Sequence, residues 1–371
     1  MSDLIFSSGQ ILLGLVGLIV GGELLVRGAS KLAAAAHISP LIIGITVVSF
    51  GTSAPELAVT VQAAHAGSPE LAVGNVVGSN IANVLLILGA AAMVTPLAVQ
   101  SRIVKVDLPM VFGASVALWL LALDGGIGRF DGLSLFAALA VYLVWSVRHG
   151  RDERAEVQQQ FSGAAEKKTR PPRGSAATRY LKQGLFVLAG LAILVIAAQS
   201  MVAGSSEIAR HFGVSELVIG LTIVAVGTSL PELVASVVAA WRGEGDIAVG
   251  NVVGSNLFNL LAVLGIGAMV APEGIPVSRD ALHLDVPIMI ASTFACLPIF
   301  FTGCRISRPE GAVLLGYFIA YTAYVAMGAT DASFTRSFEI ALLGFVIPLT
   351  MLAIGVSVWQ SIQLRRAQSR G

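Results

Sequence analysis

Charge is scarce in this chain. Lys, Arg, Asp and Glu make up only 12% of its 371 residues, and the formal net charge is +1. So few charges cannot clothe a soluble surface of ordinary composition, and so weak a net field does not draw nucleic acid. Cysteine is nearly absent as well. Cys296 and Cys304 lack metal-ligand spacing and read as helix-packing or loop thiols. The five histidines contain no H-x-x-x-H pair, which removes the commonest zinc pattern. A basic segment before the first apolar run is missing, and no A-x-A-like end with a soluble domain follows it, so that run reads as a retained span and not a signal peptide.

What is abundant is apolar sequence, at 56% of residues. Runs of about 18 to 26 residues recur, each long enough to cross a bilayer as a helix. Eleven spans are expected, near 9–30, 40–65, 69–93, 107–123, 131–147, 181–203, 215–241, 246–270, 285–302, 309–327 and 339–359. The segment between the fifth and sixth differs in kind. RHGRDERAEVQQQ and EKKTRPPRGS are polar and proline-interrupted, and 148–182 holds nine Lys/Arg against four Asp/Glu, the composition of a solvated linker. The chain therefore divides into a five-helix repeat (1–147), a linker (148–182), a second five-helix repeat (183–330), and a C-terminal helix with a basic tail (331–371).

The halves are duplicates. Residues 42–89 and 218–265 align without a gap at an offset of 176, with 27 of 48 positions identical. The identities concentrate in GTSxPEL and GNVVGSNxxN, both polar interruptions of apolar sequence. Five spans per half make the second copy insert upside down, and duplicated interruptions at such a junction mark a transporter binding site. The basic residues agree with inversion. With the linker in the cytoplasm, eighteen Lys/Arg fall on its side and four on the other, as the positive-inside rule requires. The N-terminus is then outside. The eleventh span returns LRRAQSR to the cytoplasm.

Within the first block, Thr52 precedes Glu56 by four residues, so both are expected on one helix face. Pro55 removes a donor and frees carbonyls near Gly51 and Thr52. Asn75, Ser79 and Asn83 are spaced by four along the next span, with Gly74 and Gly78 beside them to allow close helix approach. Thr228, Pro231, Glu232, Asn251, Ser255 and Asn259 repeat every element. Face to face, the copies form a cage of hard oxygen donors, the set that Ca²⁺ and similar cations prefer. Taken singly, most of these residues have plainer uses: glycine spacing for packing, Ser or Thr for backbone capping, Asn75 and Asn251 for satisfying nearby backbone. Their joint duplication favours a site. Glu23 has no charged counterpart, its aligned partner being Gln199, and reads as paired with Arg27 at i+4. Asp107 and Asp285, each shortly before a proline, read as helix caps.

At these motifs the chain resembles the sodium/calcium exchanger family of the cation/calcium exchanger superfamily, in its prokaryotic form. The matching residues are GTSAPE with GNVVGSN, and GTSLPE with GNVVGSN. The resemblance implies an all-α polytopic membrane protein of two inverted repeats, to which the span count adds an eleventh helix. It implies a secondary antiporter in a bacterial or archaeal cell membrane, carrying Ca²⁺ and Na⁺ and using no cofactor. Glu56, Glu232, Thr52 and Thr228 are then the calcium site. Ser53, Ser229, Ser79 and Ser255, with backbone oxygens of Ser49 and Ala225, belong to sodium sites. Asn83 and Asn259 stand where some relatives, notably potassium-dependent ones, carry aspartate in the second copy, so two carboxylates and not three line the cage. A calcium/proton exchanger using the same glutamates is the nearest alternative. A hydrolase is disfavoured because acid and base need unlike environments, and a channel because selective pores use rings of like subunits.

Overall fold

The computed structural model describes residues 2–36, 38–66, 68–161, 176–214, 219, 223, 225–279, 281–301, 304–329 and 355. The expected eleventh span and most of 215–224 lie outside these residues. The helices of the first half are α1 (Ser2–Ala36), α2 (Pro40–Thr52), α3 (Ala54–His65), α4 (Leu71–Val94), α5 (Ile103–Asp124) and α6 (Arg129–Phe161). The second half contributes α7 (Ala176–His211), α8 (Ala225–Thr228), α9 (Leu230–Trp241), α10 (Gly245–Val270), α11 (Val286–Phe301) and α12 (Arg308–Ala329). Among the described residues six helices are long and apolar enough to span a membrane, or seven when α2 and α3 count as one bent span. Helices dominate because the bilayer offers backbone groups no water, so each span must close its own hydrogen bonds.

Burial sorts the helices. The apolar windows of α4 and α10 are 78% and 89% buried, against 22% for α1 and 28% for α7. The duplicated blocks therefore form the centre, while Leu12, Leu13, Val16, Leu185 and Leu188 face outward where lipid is the solvent. α1 and α7 run antiparallel in close contact. A Cβ on Gly21 would lie 2.9 Å from the Gly190 carbonyl oxygen, and one on Gly190 would lie 2.5 Å from the Leu25 nitrogen. Such small-residue contact is how helices associate without a hydrophobic drive. The halves also interlock: α4 meets α12 at Gly89 and Gly311, and α10 meets α6 at Gly265 and Gly132.

Four short strands establish the inversion. β1 (Leu97–Ala98) and β3 (Ile275–Pro276) follow equivalent helices, as do β2 (Gly126–Ile127) and β4 (Arg305–Ile306). Equivalents do not share a face. β1 pairs antiparallel with β4, and β2 with β3, so each half's strand meets the non-equivalent strand of the other. Two repeats in the same orientation could not pair this way.

Three expectations change. α6 continues to Phe161 and α7 begins at Ala176, so helix enters the linker from both ends. The first of these extensions is rich in Arg, Glu and Gln, good helix formers even in water. Residues 162–175 lie outside the described set. Asp107 does not act as a cap. Asp107 ends a π-helical turn, caps nothing with its side chain, and is fully buried. It accepts from Tyr142 at 2.8 Å and pairs with Arg102 at 3.5 Å, while Arg102 also reaches Ser146 at 2.8 Å. Asp285 likewise accepts from Tyr321 at 3.2 Å. In each half an aspartate ties one span to the next because, once buried, a carboxylate needs a partner more than a helix end does. Finally, Gly74 and Gly78 are not in tight packing contacts: among the described residues no atom lies within 4 Å of a Cβ on either.

Asp107→Ala is expected to cost about 3–5 kcal/mol, because it strips a buried guanidinium of its counter-charge. Tyr142→Phe should cost less, about 1.5–3 kcal/mol for one bond to a carboxylate. Thermal unfolding in detergent checks the order of the two, and equal melting temperatures would contradict it.

Candidate ion-binding site

Each glutamate sits just past a break in its helix. In the first copy the break is at Ser53 (φ −81°, ψ 5°), where α2 and α3 meet at a 41° bend. In the second it is at Ser229 (φ −87°, ψ 4°), between α8 and α9. Pro55 and Pro231 occupy the first turn of the following helix, where a missing N–H costs nothing. Thr52 and Glu56 thus lie on either side of a kink and not on one continuous helix face.

The structure brings both copies together. Ser53 donates to Glu232 Oε1 at 3.2 Å, and Thr52 donates to Asn251 Oδ1 at 3.2 Å. Ser49 is fully buried, bonds the Ile45 carbonyl, and lies where a Cβ on Gly254 would touch it. Ser79 and Ser255 are buried on α4 and α10. Thr228 is half-buried at the end of α8, which begins at Ala225. Glu56 and Glu232 are both 1% exposed.

Asn75 and Asn251 clamp the glutamate backbones. Asn75 Nδ2 donates to the Glu56 carbonyl at 3.1 Å and to Thr60 at 3.2 Å. Asn251 does the same to the Glu232 carbonyl at 3.3 Å and to Ser236 at 2.9 Å. Thr60 and Ser236, duplicated hydroxyls four residues past each glutamate, were not singled out from the sequence. The asparagines that close each GSN were not singled out, yet they form the centre. Asn83 Nδ2 donates to Asn256 Oδ1 at 2.9 Å, and Asn259 Nδ2 donates to Asn80 Oδ1 at 3.2 Å. Asn83 and Asn259 start or lie in π-helical stretches, Asn83–Ile87 and Phe258–Val263, local widenings often found at functional sites. The identity of Asn80 and Asn256 in both copies was the available signal. Their cross-repeat pairing depends on the fold.

What the cluster can do follows from what it leaves unmade. Among the described residues, both oxygens of Glu56, Oε2 of Glu232, Oδ1 of Asn83 and Asn259, and Oγ of Ser229 and Ser255 are buried without a hydrogen-bond partner. Buried oxygens normally find donors. A pair of carboxylates with spare amide and hydroxyl oxygens is the donor set of a hard cation. The NH₂ groups of Asn75, Asn83, Asn251 and Asn259 donate to backbone, to the Thr60 and Ser236 hydroxyls or to another asparagine, and not to these free oxygens.

The site is packed shut on one face and less tightly covered on the other. Towards β1 and β4, Ile247, Gly250, Asn251 and Gly254 of α10 are buried, and a Cβ on Gly250 would lie 2.8 Å from the Leu41 carbonyl. Towards β2 and β3, the equivalent Leu71 and Gly74 are exposed, and Asn75 and Gly78 half-exposed. A cavity of about 540 Å³ lies beside β2 and β3, lined by His65, Pro69, Gly126, Glu273 and Ile275 among others.

The family model described as "Sodium/calcium exchanger protein" matches residues 6–148 and 182–327. The chain is 40% identical to the putative antiporter CaxA of Alkalimonas amylolytica, over 84% of this chain and 96% of that one. It is 36% identical to the inner membrane protein YrbG of Escherichia coli (86% and 97%) and 32% identical to the sodium/calcium exchanger MaX1 of Methanosarcina acetivorans (84% and 96%). It superposes on the sodium-calcium exchanger NCX_Mj, soaked with 10 mM Na⁺ and zero Ca²⁺, with a TM-score of 0.71 at 28% identity, covering 86% of this chain and 98% of that one. Inverted repeats, a broken helix in each and a cage of unpaired oxygens between them agree with these matches, and the chain belongs to the sodium/calcium exchanger protein family.

Proposed function

We propose that this protein is a secondary antiporter that moves Ca²⁺ out of the cell against Na⁺ flowing in, with both ions using the cage between the repeats. The observation that carries the reading is the set of seven buried oxygens with no hydrogen-bond partner among the described residues, five of them on the matched pairs Glu56/Glu232 and Asn83/Asn259 and two on Ser229 and Ser255 of the second copy. Glu56 and Glu232 balance the charge of one divalent ion. The serine and asparagine oxygens complete its shell, and Na⁺ takes the same atoms in turn, so the two cargoes exclude each other. Occupancy changes which face is closed, and the cargo crosses as the open face alternates. The excess of Lys and Arg on the face bearing β1 and β4, among them Arg102, Lys105, Arg242, Arg305 and Arg308, supports assigning that face to the cytoplasm. The relatives named as sodium/calcium exchangers favour Na⁺ as the counter-ion.

Flux in proteoliposomes tests the coupling. A Na⁺ gradient at fixed pH is expected to drive Ca²⁺ uptake, whereas a pH gradient without Na⁺ is expected to drive little. The reverse result would make the protein a calcium/proton exchanger acting through the same glutamates.

A further inference from the structure

Two contacts on the closed face join α1 to the turn between α9 and α10. Glu23 pairs with Arg27 in its own helix and with Arg242 at the end of α9. Seven residues on, Ser30 donates to Glu244 at 2.6 Å. Gly243 between them has φ +75°, a left-handed turn that brings Arg242 and Glu244 to α1 together. Just above, Gly22 lets α1 lie on α9, where its Cβ would sit 3.0 Å from Val234 and 3.2 Å from Val238.

The offset of 176 identifies the same positions in the other half. Glu23 corresponds to Gln199, Ser30 to Ser206, Arg242 to Ala66, Glu244 to Ser68, and Val238 to Gln62. None of these residues is charged. Ser206 is buried with no hydrogen-bond partner for its hydroxyl among the described residues, and Gln62 is exposed where Val238 is covered. The contact made on the β1–β4 face is unmade on the β2–β3 face, and the equivalent positions there carry no charges with which to make it.

We propose that the Glu23–Arg242 pair, backed by Ser30–Glu244, is a one-sided latch that holds the β1–β4 face shut and weights the protein toward the conformer open on the β2–β3 face. The proposal rests on the alternating-access reading above. Identical inverted halves would give two conformers of equal free energy, because each is the other turned over. A bond available in only one conformer removes that equality. Both partners are partly solvated, with side chains 26% and 30% exposed, so the bias is modest, about fivefold. The latch lies away from the cage and sets which face is open without touching the cargo.

Thiol accessibility tests it in the full-length protein, in detergent and without Ca²⁺ or Na⁺, with Cys296 and Cys304 replaced by serine. Val238→Cys and Gln62→Cys serve as reporters of the two faces, read by labelling with a water-soluble maleimide. Glu23→Gln, and separately Arg242→Gln, should raise labelling at position 238 about fivefold and lower it at 62. The double exchange Glu23→Arg with Arg242→Glu should restore the parent pattern. Unchanged labelling at both reporters would overturn the latch. So would a rise at both, which is what mere loosening of α1 produces. Since no transported ion is present, the outcome is independent of which ions are carried; failure of Ca²⁺ exchange in proteoliposomes counts against the proposed function alone.

Discussion

Glu56→Gln and Glu232→Gln should each leave less than a tenth of parent ion exchange in proteoliposomes, while insertion and fold persist. The carboxylates are 1% exposed, and three of their four oxygens have no hydrogen-bond partner among the described residues. Little of the fold therefore hangs on them. On insertion scales an ionised carboxylate near the midplane costs roughly 2.5–3.5 kcal/mol, so neutral glutamine of similar volume should leave melting in detergent unchanged or higher. Binding is another matter. A unit charge facing another at 4 Å contributes about 4 kcal/mol at an effective dielectric of 20, equivalent to about a thousandfold in affinity, and a divalent cargo feels it twice. Flux and melting measured on the same preparations separate the two effects. If both variants kept more than a tenth of parent exchange, the glutamates would not be ion ligands.

The second large effect is expected from one methyl group. Gly254→Ala would place a Cβ 2.5 Å from the Ile45 carbonyl oxygen and 2.5 Å from the Ser49 hydroxyl. Backbone cannot yield there as a long side chain could, so α2 must shift away from α10. Overpacking of this kind costs about 1–3 kcal/mol, and it displaces Ser49 and Thr52 at the cage itself. Gly78→Ala is the matched control, since it stands at the same motif position with no atom within 4 Å among the described residues. Melting temperature and exchange should both fall for Gly254→Ala, while Gly78→Ala should melt like the parent. Equal loss of stability in the two would mean that the faces are packed alike, and the asymmetry between them would be lost.

Much of this is readable in the sequence. Glu56 and Glu232 stand out because an ionisable residue in a span is costly and these two recur in identical contexts. Inversion followed from odd span number and the placement of Lys and Arg, and the cross-pairing of β1 with β4 and β2 with β3 agrees. Local readings failed where a residue's partner lay far along the chain. Asp107 looks like a cap until Tyr142, thirty-five residues on, supplies its bond. Glu23 shows Arg27 in sequence but not Arg242, which is 219 residues away.

The duplication, the span pattern and the chemical character of the cage are properties of the sequence alone. They depend on composition and period, which operate over a turn or two of helix and need no neighbour to be legible. Only the tertiary structure decided that Asn80 and Asn256 cross-pair with Asn259 and Asn83. It alone also decided that Gly254 is crowded while Gly78 is not, and that one face is closed. Two near-identical motifs cannot by themselves encode such a difference, because it arises from what each is packed against. The physical reason is that an inverted duplication specifies two equivalent arrangements, and the choice between them is made by contacts, such as Glu23 with Arg242, that join residues from opposite halves of the chain.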